Sequence, residues 1–217
     1  NRADLTQPAI LAVSVATWRT LRDNLDKKIE YMAGHSLGEY STLVCSGSLD
    51  FADAIKLVHR RGELMLQAVP EGTGGMAAVL GLADEDIQNA CNEITGGQVV
   101  APVNYNSPGQ VVIAGHKEAV EKAGQACLDK GASKVIPLAV SVPSHCELMK
   151  PAAEEFKANL NEAEFRAPEV SVVSSVDVKI LKDSNEIIDT LIRQLYSPVR
   201  WTETVHRFES HGVTDYI

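Results

Sequence analysis

Residues 34–38, Gly34-His35-Ser36-Leu37-Gly38, have the Gly-x-Ser-x-Gly form, in which glycines permit a sharp backbone turn and a serine hydroxyl is presented at the start of a helix. Such a turn serves nucleophilic chemistry. The serine oxygen attacks an acyl carbon, and nearby helix amides stabilise the oxyanion that forms. The pattern alone is weak, since it arises by chance in loops. Its setting is stronger: Glu30-Tyr31-Met32-Ala33 reads as a strand and Glu39 to Cys45 as a helix, so strand, turn and helix follow one another as the mechanism requires. Ser36 is the candidate nucleophile. The amide of Leu37 is the candidate oxyanion donor, with the helix dipole adding to it.

A serine needs a base, because its hydroxyl is a poor nucleophile until an imidazole can take its proton. His35 lies inside the turn, His59 and His116 fall in helical patterns, and His206 and His211 come late. His145 differs. It follows Val140-Ser141-Val142-Pro143-Ser144, an irregular turn directly after an expected strand, where a base could be held over a sheet edge. An α/β-hydrolase arrangement would run serine, acid, histidine, and would need His206 or His211 with an acid such as Asp177 or Asp129. None of these sits in a convincing strand-end loop. A patatin-like serine–aspartate dyad would leave His145 idle.

Thr6 is placed to cap a first helix with Pro8 near its first turn, after which Ile10, Leu11, Val13, Trp18, Leu21 and Leu25 recur at helical intervals. Gly47 can stop the helix after the turn, and Ser48 or Asp50 can start the next. That helix has the apolar face Phe51, Ala54, Ile55, Leu57, Val58, Leu64, Met65 and Leu66, and it carries Arg60 and Arg61. From Gly72 the texture changes. Expected strands at 76–80, 99–103, 110–114 and 134–140, with helices at 84–94 and 116–130, give β-α-β-β-α-β, the split order of a ferredoxin-like unit. Beyond Pro143 come a helix at 147–159, a strand at 170–174, helices at 184–195 and 197–206, and a closing strand at 213–217. The expectation is an α/β fold, with a parallel-sheet, hydrolase-like catalytic domain (1–71 and 142–217) interrupted by a ferredoxin-like βαββαβ subdomain (72–141).

The chain has 217 residues, 45% hydrophobic and 23% charged, which fits one large globular domain or a domain with a subdomain and argues against disorder or coiled coil. Lys and Arg number 20 against 29 Asp and Glu, and the resulting −9 would repel a polyphosphate, so no nucleic acid is expected as partner. Apolar stretches such as Ala9 to Ala16 fall short of the ~20 residues of a membrane helix, and no leader pattern opens the chain, so neither membrane nor export is expected. Cys45, Cys91, Cys127 and Cys146 show neither Cys-x-x-Cys nor zinc spacing. They read as reduced thiols in a cytosolic protein, without metal or disulfide framework.

Five blocks then come together: Gly34-His35-Ser36-Leu37-Gly38-Glu39-Tyr40, Arg60-Arg61-Gly62-Glu63-Leu64-Met65, Val103-Asn104-Tyr105-Asn106-Ser107-Pro108-Gly109-Gln110, Ser141-Val142-Pro143-Ser144-His145-Cys146 and Arg193-Gln194-Leu195-Tyr196-Ser197-Pro198-Val199. In this order, and over nearly the whole chain, the set resembles the malonyl-CoA:acyl-carrier-protein transacylases of bacterial fatty acid synthesis. The likeness is to the discrete enzyme rather than to the acyltransferase module of a polyketide synthase. It implies Ser36 as nucleophile, His145 as catalytic histidine and Arg61 as the arginine for the substrate carboxylate. Gln194 takes the place of the residue whose backbone carbonyl orients the histidine, which would replace the acid of a hydrolase triad.

The implied partners are malonyl-CoA and the phosphopantetheine arm of acyl carrier protein, with no cofactor and no metal, in a cytoplasmic monomer. Arg60 keeps the reading of a solvated helix arginine, and Lys130, Lys134, Arg193 and Arg200 are candidate docking charges. The family's opening strand with its Gly-Gln-Gly-Ser turn, and the Gly-Pro-Gly segment expected after Ile217, have no counterpart. A chain truncated at both ends is therefore expected.

If His145 and not a late histidine is the base, His145→Ala should slow acyl-enzyme formation by about two to four orders of magnitude. Replacing His206 or His211 should change that rate by less than about twofold. A larger effect at either late histidine would favour the hydrolase order.

Overall fold

The computed structural model describes residues 2–94, 96–140 and 142–217. Asn1, Thr95 and Ser141 lie outside the described residues, and Ser141 is both the first residue of the block before His145 and the expected end of the subdomain.

Strands β1 (Tyr31–Ala33) and β6 (Ser171–Val173) pair in parallel, with Met32 opposite Val172. Around them lie α1 (Ala3–Leu21), α2 (Gly38–Cys45), α3 (Phe51–Gln67), α6 (Lys150–Glu162) and α7 (Ser184–Gln194). Their inward faces form one core that includes Leu11, Tyr40, Leu43, Val58, Phe156 and Leu191. Local chemistry sets the helix starts. Asp50 Oδ1 accepts from the Ala52 amide at 2.8 Å to begin α3, and Asp183 Oδ1 accepts from the Glu186 amide at 3.0 Å to begin α7. Among the described residues, no helix is long and apolar enough to cross a membrane.

Between α3 and α6 the chain builds β2 (Gly74–Leu80), α4 (Asp84–Asn92), β3 (Val100–Ser107), β4 (Gln110–His116), α5 (Lys117–Asp129) and β5 (Lys134–Pro137). The four strands form an antiparallel sheet in the order β3-β4-β2-β5, the arrangement of a ferredoxin-like unit. Alternation along the strands gives the sheet two apolar faces. Ala77, Val79, Val111 and Ile113 pack with Ile87, Val120 and Ala123 of α4 and α5. Met76, Val103, Val112 and Ala114 pack on the other side with Cys146, the neighbour of His145. Strand β3 is also stitched to the segment leading into α8 (Trp201–Ser210). The Tyr105 amide donates to Val199 O at 3.0 Å, and the Val199 amide donates to Val103 O at 2.8 Å.

Several expected elements differ: β3 runs past 103 to Ser107, and residues 147–149 form a 3₁₀ turn before α6. Helix α1 starts at Ala3, so Thr6 lies inside it and its hydroxyl donates back to Arg2 O at 2.8 Å. Pro8 is therefore interior, and its missing N–H frees the Asp4 carbonyl, which accepts from His59 Nδ1 at 2.9 Å. The buried stripe of α1 is Asp4, Gln7, Leu11 and Val15, while Ile10, Val13 and Leu21 are exposed. Two of its inward positions are polar, so counting apolar residues alone misplaces the face. Helix α8 starts at Trp201 rather than Ser197, since Pro198 disfavours helical backbone at the residue before it. Strand β5 ends at Pro137, and one more bond, from the Leu138 amide to Met76 O at 2.9 Å, closes its contact with β2. Residues 213–217 form no strand: among the described residues no neighbouring strand supplies their backbone partners.

Helices α1 and α3 cross closely at Gly62, where an added Cβ would lie 2.5 Å from Asp4 Cα and 2.6 Å from Ala3 C. Those atoms are backbone and cannot rotate away. Gly62→Ala is expected to cost about 1–3 kcal/mol by overpacking, read as a lower urea midpoint with an unchanged slope. Gly38→Ala, where an added Cβ meets nothing within 4 Å, should cost less.

Candidate active site

The backbone leaves β1 at Ala33 and folds back on itself so tightly that a Cβ at Gly34 would sit 1.9 Å from the carbonyl carbon of Gly38. Ser36 is held in the left-handed region at φ 53°, strain that a non-glycine residue carries only where its surroundings enforce it. Hydrogen bonds from the Gly38 amide to His35 O (3.0 Å) and from the Glu39 amide to Ser36 O (3.1 Å) close the turn onto α2. The amide of Leu37 has no acceptor among the described residues. It stands at the N-terminus of α2, where the helix dipole favours negative charge.

Ser36 Oγ lies 2.7 Å from His145 Nε2, and His145 Nδ1 lies 2.7 Å from the Gln194 carbonyl oxygen. A carbonyl only accepts, so Nδ1 carries the proton and Nε2 is left to accept from the serine hydroxyl. The His145 backbone is also left-handed, at φ 65°, and its amide donates to Leu195 O at 3.0 Å. Both acceptors lie at the C-terminal end of α7, where helix carbonyls lack an intrahelical partner. The end of one helix therefore fixes both the ring and the backbone of the histidine. Burial, and next the charge of Arg61, push His145 down to about 3, so the imidazole is neutral at rest.

Arg61 is 2% exposed. It lies on the inward stripe of α3 with Ala54, Val58 and Met65, and adjacent Arg60 points elsewhere and pairs with Glu63 at 3.2 Å. Arg61 Nη1 donates to Gln7 Oε1 at 2.8 Å, and Nη2 donates to Gln194 Oε1 at 3.1 Å and to Ser36 Oγ at 3.2 Å. The Tyr40 ring lies 5.7 Å from its Cζ, while Nε has no partner. Every acceptor is neutral, and no described carboxylate forms an ion pair with this guanidinium. Glu39, also buried, reaches it only through Gln194, whose Nε2 donates to Glu39 Oε2 at 2.8 Å and to Ser36 O at 3.1 Å.

The fold thus gathers Ser36, Leu37, Arg61, His145 and Gln194 in one place. It does not bring the rival groups there. Asp177 is held by Arg193 at 2.9 and 2.6 Å, Asp129 accepts from Gln125 at 2.9 Å on α5, and His206 and His211 are exposed on and after α8. Of the candidate docking charges, Lys130 pairs with Glu93 at 3.0 Å, Arg193 with Asp177, and Arg200 with Glu203, while Lys134 has no ion pair among the described residues.

Gln7, Glu39 and the side chain of Gln194 join the site without having been singled out. Gln7 could have been found from its place on the i, i+4, i+8 row with Leu11 and Val15. His35 adds a link to the inserted sheet, with Nε2 2.9 Å from Asn106 Oδ1 and its ring 5.7 Å from Trp201. Among the described residues, no group of three His, Cys, Asp or Glu could hold a metal ion.

A family model described as an acyl transferase domain matches residues 1–214. The malonyl CoA-acyl carrier protein transacylase of Salmonella typhimurium is 57% identical over 213 residues, covering 98% of this chain and 69% of that protein. The crystal structure of an acyl carrier protein S-malonyltransferase from Vibrio cholerae superposes with a TM-score of 0.95 at 57% identity, over 98% of this chain and 70% of that one. A malonyl-transacylase in complex with its type II PKS acyl-carrier protein superposes at 0.96, also 57% identical, over 98% and 69%.

Because His145 is neutral far below the ordinary histidine range, it remains able to accept a proton in mild acid. Phosphonylation of Ser36 by a serine-directed reagent should keep its rate from about pH 8 to about pH 5. Arg61→Ala removes a neighbouring cation, so the acid limb should move to higher pH. A limb near the usual imidazole value in the native protein would contradict this.

Proposed function

The chain belongs to the acyl transferase domain family, and from that premise we propose that it moves a malonyl group from coenzyme A to the phosphopantetheine thiol of an acyl carrier protein, through an acyl-serine intermediate, in fatty acid synthesis. The observation that carries this reading is Arg61, a buried guanidinium without an anion. Burying a charge is costly unless it is paired, and the partner here would be the substrate's own carboxylate. Its position supports the chain length. Nη2 is 3.2 Å from the nucleophilic oxygen, so a short turn of the guanidinium away from Ser36 would bring it to a carboxylate one methylene from the attacked carbonyl.

In this reading Ser36 Oγ attacks the thioester carbonyl while His145 Nε2 takes its proton, and the Leu37 amide donates to the oxyanion. Collapse of the tetrahedral species breaks the carbon–sulfur bond, and His145 returns the proton to the coenzyme A thiol. The carrier-protein thiol then repeats the sequence on the acyl-serine, with the same imidazole serving as base and acid, so the kinetics are ping-pong. The Gln194 carbonyl holds Nδ1–H throughout, and the C-terminal end of α7 opposes the charge of the transient imidazolium. Residues 1–71 and 142–217 then form the catalytic unit, with 72–141 inserted in it. The protein would work as a cytoplasmic monomer, a compartment that its four free cysteines fit.

Incubation of the full-length protein with malonyl-CoA should give a malonyl adduct by intact mass, and Ser36→Ala should give none. An adduct on the Ser36→Ala protein would overturn the assignment. Arg61→Ala should lower malonyl kcat/KM by at least about 2–3 kcal/mol, roughly two orders of magnitude, while acetyl-CoA transfer stays constant or rises. Arg61→Lys should recover only part, since a point charge lacks the planar fork. Equal losses for both substrates would make Arg61 structural.

A further inference from the structure

Glu39 occupies the first turn of α2, three residues beyond Ser36, and is fully buried. Its Oε2 accepts from Gln194 Nε2 at 2.8 Å and from Ser175 Oγ at 3.0 Å, and its Oε1 has no partner. A carboxylate can only accept, so it requires the nitrogen end of the Gln194 amide to face it. The oxygen end is thereby aimed at Arg61 Nη2, 3.1 Å away. The result is a continuous row, guanidinium to amide oxygen and amide nitrogen to carboxylate, in which a buried cation and a buried anion polarise the amide between them. When Arg61 turns toward a substrate carboxylate, Glu39 and the Ser36 carbonyl are what keep that amide from rotating.

We propose that Glu39 is a positioning residue for acyl selection: through the side-chain amide of Gln194 it holds Arg61 over Ser36 and so sets the preference for an acyl group that bears a carboxylate. The inference rests on the reading of the chain as a malonyl transferase.

The arrangement carries a pH signature. Burial lifts Glu39 to about 7, against the pull of Gln194, Ser175 and Arg61. The ionisable groups around it are Arg61 from α3, Tyr40 on its own helix and His145 from the segment before α6, while Gln194 and Ser175 do not ionise. Burial holds His145 at about 3, raises Tyr40, and lowers Arg61 without discharging it. Only Glu39 in this group titrates near neutrality. Its value is raised, so the carboxylate is the form lost as pH falls through about 7, and malonyl preference should weaken in that direction.

The test is kcat/KM for malonyl-CoA and for acetyl-CoA in the full-length protein, as native, Glu39→Gln, Arg61→Ala and the double variant, between about pH 6 and about pH 8. Glu39→Gln should lower the malonyl-to-acetyl ratio about tenfold, chiefly through the malonyl KM, and should abolish the dependence of that ratio on pH. On the Arg61→Ala background it should change the ratio no further. Equal losses for both substrates, an additive double variant, or a native ratio that is flat with pH would overturn the proposal. If Glu39→Gln does not fold, Ser175→Ala, which removes one of the two contacts to Oε2, should give a smaller fall in the ratio, and no fall overturns it. A native protein that prefers malonyl but is indifferent to Glu39→Gln removes this inference alone. One with no malonyl preference removes the functional reading as well.

Discussion

A guanidinium taken out of water loses hydration that only an anion or a full set of acceptors can replace, and Arg61 sits in the core with neutral acceptors alone. Much of the surrounding structure follows from that requirement. Helix α1 must come close enough for Gln7 to reach Nη1, which is why the α1–α3 crossing tolerates no side chain at Gly62. Helix α7 must end where Gln194 can offer Oε1 to Nη2, and the same terminus then supplies the carbonyls that fix His145. The acceptors hold the cation in place without neutralising it. An unneutralised cation thus remains beside Ser36 Oγ.

Gln194 couples these demands. Its backbone carbonyl accepts from the histidine ring, its amide oxygen from Arg61, and its amide nitrogen donates to Glu39 and to the Ser36 carbonyl. Ser36, His145 and Arg61 are therefore referenced to one residue, itself at the end of a helix capped by Asp183 and packed in the main core. Preorganisation of this kind fixes geometry before a substrate arrives. Ser36 and His145 are both left-handed, the first closed in by the Gly38 and Glu39 amides and the second held by its own amide on Leu195 O.

The inserted sheet belongs to the same framework. One of its faces packs with Cys146, next to His145, and its strand β3 reaches the turn through Asn106 and His35 and the α8 segment through Val199. Two otherwise separate cores, one under the helices of the parallel pair and one under α4 and α5, are in this way joined at the segment carrying His145.

Local sequence was sufficient for whatever depends on neighbours along the chain. The Gly-x-Ser-x-Gly turn needed only its glycines and its place between apolar strand and helix, and the split β-α-β-β-α-β order needed only the change of hydrophobic period after Gly72. The inward direction of Arg61 was also present in the sequence, since residues 54, 58, 61 and 65 share one helical face. Pattern failed where polar residues turn inward or where pairing is non-local. Asp4 and Gln7 broke the apolar count on α1, and residues 213–217, expected as a strand, find no ladder among the described residues. Tertiary structure alone decided that Gln7 and Gln194, far apart in sequence, share one buried cation, and that Glu39 meets it through Gln194. Hydrogen bonding is short-ranged and directional, and no periodicity along a chain encodes which end of an amide will face which charge.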